Sequence, residues 1–501
     1  MYISDMHYQL LSYGLFSEYL PENFSTEDLA INYGVLKNNI KNNSFKNHSK
    51  PTCFTIHKTD LVRRLIKIPN ASHFFLLVEC INNNWNEIEN VLTSKNSLSS
   101  ITTELNATKF FNIPSWRDMK NLQSDYKHNK RRIIQEAIGS CYSLKLDILN
   151  CYGSIYTHSI EWAVTSKAAS KIKNRLVNYG QDLDLYVRRM QSNETYGIPI
   201  GPFTSRIISE MILCKIDEGL VKKGYKFCRY VDDYSFFFSS EQDLHEAKAT
   251  IAKVLREYNF TINDSKIVIN KYPYDRDIVD IKKELKDFSK IDKKERFTQL
   301  IEKSNTLHLL GSKGIYKYML KIIRKEQIDK NEWNVVQAHL LSIMMIEPKL
   351  AQYIAELFLK NKSSISNIHS IESVINKMLS SNLNVGNEHE VLWILWLALK
   401  LELKCGEQDI IEILESEYDL PIIIAFNLLK KQQMKSGKIN DAISNLIDKL
   451  KTYDMNSERW LLLYTIIVNE YSSDSSIIDI INENEFFRIC LKKGIKFYKN
   501  I

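Results

Sequence analysis

None of the eight cysteines of this 501-residue chain forms a Cys-x-x-Cys pair, which argues against a structural zinc site. They are scattered at positions 53, 80, 141, 151, 214, 228, 405 and 490. Several sit in apolar runs, where a reduced thiol behaves as a small hydrophobe. Unpaired thiols fit the cytosol. Long apolar runs are also missing. The longest, Val391 to Leu399, is too short to span a bilayer. Met1-Tyr2-Ile3-Ser4-Asp5-Met6 shows no basic region followed by an apolar stretch, so no signal peptide is read there. A cytoplasmic protein without a membrane partner is expected. Gly311-Ser312-Lys313-Gly314 lacks the spacing of a phosphate-binding loop and reads as a turn.

Proline is scarce past residue 280, where only Pro348 and Pro421 occur. Leu, Ile, Lys and Glu dominate that half at helical spacing. The segments 391–397, 422–429 and 459–464 read as buried helices, with breaks at Gly386, Gly406 and Gly437. Successive helices without strands suggest an irregular α-solenoid. The first half mixes strand and helix signals over residues 51–270, after a helical and then Asn-rich opening of about fifty residues. The reading divides the chain into 1–280 and 281–501, through a charged helical linker from Asp275 to Arg296. The net charge of +7 is compatible with nucleic acid without demanding it. The densest basic run, Lys127 to Arg132, suits a phosphate backbone or a solvated helix face equally.

Three short segments carry the chemistry. In 144–148, Leu144, Leu146 and Ile148 alternate with Lys145 and Asp147, the period of a half-buried strand. Asp147 would then face a cleft. Tyr230-Val231-Asp232-Asp233 lies between the aromatic runs 225–229 and 234–238, which suit strands. Two such runs joined at an Asp-Asp step predict a β-hairpin with carboxylates at its tip. Mg²⁺ takes oxygen ligands at about 2.1 Å, commonly one or two carboxylates plus phosphate oxygens. Asp147, Asp232 and Asp233 are therefore the candidate metal ligands and catalytic residues. The third segment, Gly197 to Ser205, is a Gly- and Pro-containing loop. It leads into a helix-spaced run at 207, 208, 211 and 212, with Ser205 as the expected N-cap.

In chain order and at these spacings the segments 144–152, 197–205 and 230–233 resemble motifs A, B and C of the reverse-transcriptase palm. The variant Ile198-Pro199-Ile200-Gly201-Pro202-x-x-Ser205-Arg206, with Ile200 where common reverse transcriptases have Gln, resembles bacterial defence enzymes. Among these it is most similar to the abortive-infection (Abi) polymerases. The resemblance implies an α+β fold, with fingers and palm followed by an all-α, HEAT-like repeat domain. It also implies nucleotidyl transfer with Mg²⁺ (or Mn²⁺) on deoxynucleoside triphosphates. The single-stranded DNA product would be untemplated and attached to a protein tyrosine. The enzyme would be a homo-oligomer acting in phage defence.

By the same resemblance Tyr152 is a steric gate against a 2′-hydroxyl, or else a core tyrosine. Arg63 and Arg64 grip the triphosphate, or else form a solvated basic face. Gly201 belongs to the nucleotide-binding loop. Lys266, in a segment resembling motif D, assists pyrophosphate departure or is a surface lysine. Of 26 tyrosines, Tyr2, Tyr8 and Tyr13 lie near a terminus that could reach the cleft, and Tyr8 is the priming candidate. A template-directed reverse transcriptase and a non-enzymatic nucleic-acid-binding scaffold are the rival readings.

Overall fold

The computed structural model describes residues 5–40, 47–59, 61–99, 129–172, 177–272, 295–312 and 314–500. The Asp275–Arg296 linker lies almost wholly outside them, as do Tyr2, Lys127 and His128. The principal elements of the α+β part begin with α1 (Asp5–Tyr13). A hairpin of β1 (Thr52–Thr59) and β2 (Val62–Ile68) follows, then α2 (Ala71–Asn83). Next come β3 (Tyr142–Asp147), α3 (Tyr179–Arg189) and α4 (Phe203–Lys222). The run closes with β4 (Lys226–Tyr230), β5 (Asp233–Phe238), α5 (Glu241–Glu257) and β6 (Val268–Lys271).

Strands β3 to β6 form one antiparallel sheet in the order β4-β5-β3-β6. The predicted alternation in β3 holds: Leu144, Leu146 and the following Ile148 are buried, while Lys145 is exposed. β4 and β5 owe their pairing to aromatic cross-strand contacts. Phe227 faces Phe236 in register, with ring centroids 5.2 Å apart, and Tyr234 stacks on Phe236 at 5.6 Å. α5 packs on β3 and β5 through Leu244, Ile251, Val254 and Leu255.

Helix α4 starts three residues earlier than its sequence signal. Pro202 is the N-cap and Ser205 lies inside the helix, buried. Proline presets the entry dihedral, and the Phe203 N–H is satisfied at 2.7 Å by the Gly14 carbonyl. No side chain caps this end of the helix.

From Arg296 onward the described chain is all helix. The principal helices are α6 (Arg296–Leu309), α7 (Ile315–Ile323), α8 (Lys330–Ile346), α9 (Ala351–Lys360) and α10 (Ile368–Asn384). They continue with α11 (Glu388–Leu401), α12 (Glu407–Glu415), α13 (Asp419–Gln432), α14 (Gly437–Leu450) and α15 (Trp460–Val468). These helices form two rows. α7, α9, α11, α13 and α15 pack one on the next, and α6, α8, α10, α12 and α14 do the same beside them. In the first row, α11, α13 and α15 are apolar around almost their whole circumference and buried along most of their length. A helix apolar on all sides must be covered on all sides. The second row covers one side, and the α+β part covers another.

That second cover is specific. β1 packs on α11. The Tyr19 carbonyl accepts from Trp393 Nε1 at 2.8 Å, and Trp396 Nε1 donates to Asn23 Oδ1 at 2.8 Å. Phe24 pairs with Tyr498, so the last described residues return to the N-terminal segment. No described helix is long and apolar enough to cross a membrane.

Candidate active site

β3 ends at Asp147, directly across the ladder from Asp233, the first residue of β5. Val231 and Asp232 form the turn from β4 into β5. One carboxylate oxygen from each of Asp147, Asp232 and Asp233 lies within 4.8 Å of the others. Among the described residues this is the one group of three or more His, Cys, Asp or Glu side chains so arranged. Asp147 and Asp232 are partly buried, and Asp233 is the most exposed of the three. Three hard oxygen donors at this separation, open on one side, fit a divalent cation such as Mg²⁺ or Mn²⁺.

The turn is strained. Val231 sits at φ +56°, a left-handed conformation that a β-branched residue rarely adopts. Such strain costs on the order of 1–3 kcal/mol and persists only where the surroundings over-determine it. Here the Val231 carbonyl accepts from Arg229 Nη1 at 3.0 Å, and the Asp232 carbonyl accepts from the Ile148 N–H at 3.3 Å.

Electrostatics separate the three carboxyls. Burial works to raise Asp147, but hydrogen bonds from Asn263 and Lys266 outweigh it and hold its carboxyl low. Asn263 Nδ2 and Lys266 Nζ each lie 3.0 Å from Asp147 Oδ2. Burial, and after it the charge of Asp147, raises Asp232. Burial and the charges of Asp232 and Asp147 push Asp233 up to about 6.

The sign follows from linkage. Between the ordinary carboxylate range and about pH 6, folded protein holds a proton on Asp233 that unfolded protein has lost. Metal-free stability therefore falls as pH rises through that window. Asp147 acts oppositely, and its contribution is lost as pH falls below its ordinary range. A bound cation requires the ionised form, so its stabilising effect grows with pH. Melting curves from pH 5 to 8 should show the Mg²⁺-induced rise in Tm increasing across pH 6. A rise independent of pH would show that Asp233 takes no part.

Around the carboxylates the sequence candidates divide. Tyr152 lies in a short helix, Cys151–Ser154, entered through Asn150 at φ +48°. Its carbonyl accepts from the Ile198 N–H at 2.9 Å, which ties it to the Gly197–Ser205 loop. Burial pushes its phenol up to about 12, against a hydrogen bond with Ser209, and it feels the charges of Arg206 and Asp232. Gly201 has φ +135°, and a Cβ there would lie 3.0 Å from the Lys67 carbonyl oxygen. The Lys67 N–H in turn donates to the Ile200 carbonyl at 2.8 Å. This glycine lets the loop lie against β2.

Adjacent residues of a strand project to opposite faces, and this separates the two arginines. Arg64 is exposed and its charge reaches Asp232. Arg63 is turned away, toward α11. Its guanidinium donates to Glu390 Oε2 at 2.7 Å, Asn387 Oδ1 at 2.7 Å and Thr55 Oγ1 at 2.9 Å. These contacts anchor the hairpin to the helices through Arg63 and leave Arg64 facing the carboxylates. Tyr8 is half-buried in α1 and packed against the core. Tyr19, not singled out from sequence, feels the charges of Arg64 and Arg206.

Three further residues escaped the sequence reading. Asn263 stands three residues before Lys266. Arg206 Nη2 contacts both carboxylate oxygens of Glu18, at 2.9 and 3.0 Å. Arg229 lies fully buried beneath the turn. None has a local spacing signal, since their carboxylate partners lie 12 to 188 residues away.

No curated protein sequence matches the chain. Solved structures that resemble it include telomerases. A truncated apo telomerase from Candida tropicalis shares 13% identity over 46% of this chain, at a TM-score of 0.32, and the chain spans about half (51%) of it. The apo telomerase from the same organism shares 11% over 83% of this chain and 72% of its own, at 0.35. Telomerase from Candida albicans in complex with a TWJ fragment of telomeric RNA shares 11% over 83% and 70%, at 0.26. Residues 89–313 match the family model described as reverse transcriptase (RNA-dependent DNA polymerase). With its three aspartates clustered at one end of the two central strands, this part of the chain is a catalytic domain of the reverse-transcriptase type, consistent with a two-metal nucleotidyltransferase.

Proposed function

We propose that the chain is a DNA polymerase that extends a primer on a nucleic-acid template with deoxynucleoside triphosphates. The observation that carries this is the convergence of Asp147, Asp232 and Asp233 within a segment of reverse-transcriptase type. In the reaction a hydroxyl attacks the α-phosphate and pyrophosphate leaves. Cations held by the three carboxylates would supply nucleophile activation and charge neutralisation.

The chain's own residues do the positioning. Lys266 and Asn263 keep Asp147 ionised and aimed. Arg64 offers its guanidinium to the phosphates, and the Gly201 loop closes the nucleotide seat against β2. Tyr152 forms the wall beside the sugar. Replacing Tyr152 with Val should relax discrimination against ribonucleotides by roughly 10- to 200-fold, the range of pocket-size effects. Relative kcat/KM for dNTP and NTP measures this, and an unchanged ratio would assign Tyr152 to packing alone.

Untemplated, protein-primed synthesis of the Abi kind is the second reading. The motif-B departure, with Ile200 for Gln and Pro202 after Gly201, favours it. In this reading the chain divides near residue 280, the two helical rows are HEAT-like repeats, and the protein is a homo-oligomer that light scattering would reveal.

One experiment separates the two readings. Purified protein, Mg²⁺ and labelled dNTPs are incubated with or without a homopolymer template and matching primer. Asp232→Ala serves as the control. Synthesis that requires template and primer supports the first reading. Label that shifts with the protein on a denaturing gel, without either, supports the second. No synthesis under any condition overturns both in favour of a binding scaffold.

A further inference from the structure

Beneath the Val231–Asp232 turn lies a charge network that no surface reaches. Arg229 is fully buried, as are Glu210 and Asp217 of α4. All five guanidinium N–H groups have acceptors. Nε donates to Asp217 Oδ1 at 3.0 Å and Nη2 to Asp217 Oδ2 at 2.7 Å. Nη1 and Nη2 reach the two oxygens of Glu210, each at 3.0 Å. The remaining Nη1 proton goes to the Val231 carbonyl.

The acids are themselves fixed from outside. Ser97 Oγ donates to Glu210 and Ser94 Oγ to Asp217, both at 2.7 Å, and the Tyr234 hydroxyl donates to Asp217 at 3.2 Å. The Arg229 backbone is clamped between Asn96 and Leu98. A planar fork of five donors suits this site, and a lysine has only three.

We infer that Arg229 is a positioning residue that sets the aim of the metal-binding turn and joins it to helix α4. Two facts carry the inference. The one arginine N–H not given to a carboxylate goes to the strained residue immediately before Asp232. The arginine's acid partners stand on the same helix whose first turn holds Arg206. A displacement of α4 is thus transmitted to Asp232 through a rigid link of charged hydrogen bonds. The inference rests on the reading of Asp147, Asp232 and Asp233 as metal ligands.

The test uses the full chain, with Mn²⁺ as the probe, titrated by the EPR signal of free ion, and without nucleotide. Two variants are compared with wild type. Arg229→Lys keeps the buried charge. The triple variant Glu210→Gln, Asp217→Asn, Arg229→Met leaves no buried charge unpaired. Each should retain the far-UV circular dichroism of wild type yet bind Mn²⁺ 10- to 100-fold more weakly, the usual effect of losing a group that orients a metal ligand. In steady-state assays kcat should fall while KM for dNTP changes little.

Mn²⁺ affinity equal to wild type in Arg229→Lys overturns the inference, whether or not the triple variant folds, and leaves the network a purely structural role. Wild-type protein whose Mn²⁺ binding is absent, or unaffected by Asp232→Ala, fails differently: it overturns the polymerase reading itself.

Discussion

Asp233→Asn will abolish nucleotide transfer and at the same time raise the melting temperature of the metal-free protein. The two effects come from one geometry. Three carboxylates crowd within 4.8 Å, and burial together with two like charges pushes Asp233 up to about 6. At neutral pH the folded state therefore ionises a group that resists ionisation. The amide removes that repulsion while preserving shape. It also removes a ligand from a cation on which transition-state charge stabilisation depends. That term is worth several kcal/mol, so roughly a 10³-fold or greater loss of kcat is expected. Calorimetry of wild type and variant, each with and without Mg²⁺, measures the stability effect. The wild type should gain stability on adding the ion and the variant should gain little. A variant that is less stable without metal and still responds to Mg²⁺ would remove Asp233 from the site.

Trp393→Ala should be the most destabilising single change outside the site. The side chain is fully buried in α11, packs edge-on against Trp396 with centroids 4.9 Å apart, and donates to the Tyr19 carbonyl. Truncating a buried tryptophan costs about 3–5 kcal/mol, which urea unfolding would register. The effect should also reach the chemistry. Tyr19 and Glu18 sit between α11 and the motif-B helix, where Glu18 holds Arg206. Loosening this strap should lower kcat/KM by roughly 10- to 100-fold, as expected when a seat shifts by about 1 Å. Trp393→Phe, which keeps most of the packing, separates the two: about 1 kcal/mol for the lost hydrogen bond, and activity close to wild type. Full activity in a folded Trp393→Ala protein would show that the helical rows do not position the active site.

The carboxylates were legible in the sequence because local pattern decides them. Period-2 alternation placed Asp147 on the cleft side of β3, and aromatic flanks announced the β4–β5 hairpin. The buried helices 391–397, 422–429 and 459–464 were legible for the same reason, since a continuous apolar run leaves no polar face. What could not be read was set by distant partners. Arg63 and Arg64 are equivalent as letters, and only the docking of α11 shows that one is held by Glu390. Arg229 looks like any strand residue until α4 delivers two acids to it. The Ser205 cap was misplaced because the helix opens three residues earlier, at Pro202, where the Phe203 N–H meets the Gly14 carbonyl nearly 190 residues upstream.

The all-round burial of the inner helical row fixes an order of events during synthesis on the ribosome. Trp393 and Trp396 reach their partners Tyr19 and Asn23 across 374 and 373 residues of chain. At about 5–20 residues per second, the N-terminal strap waits roughly 20 to 75 s for the helices that seal it. Throughout that interval the nascent catalytic half exposes the apolar surface that α11 will cover. That surface is then open to chaperones and proteases, whereas in the finished fold it lies buried against α11.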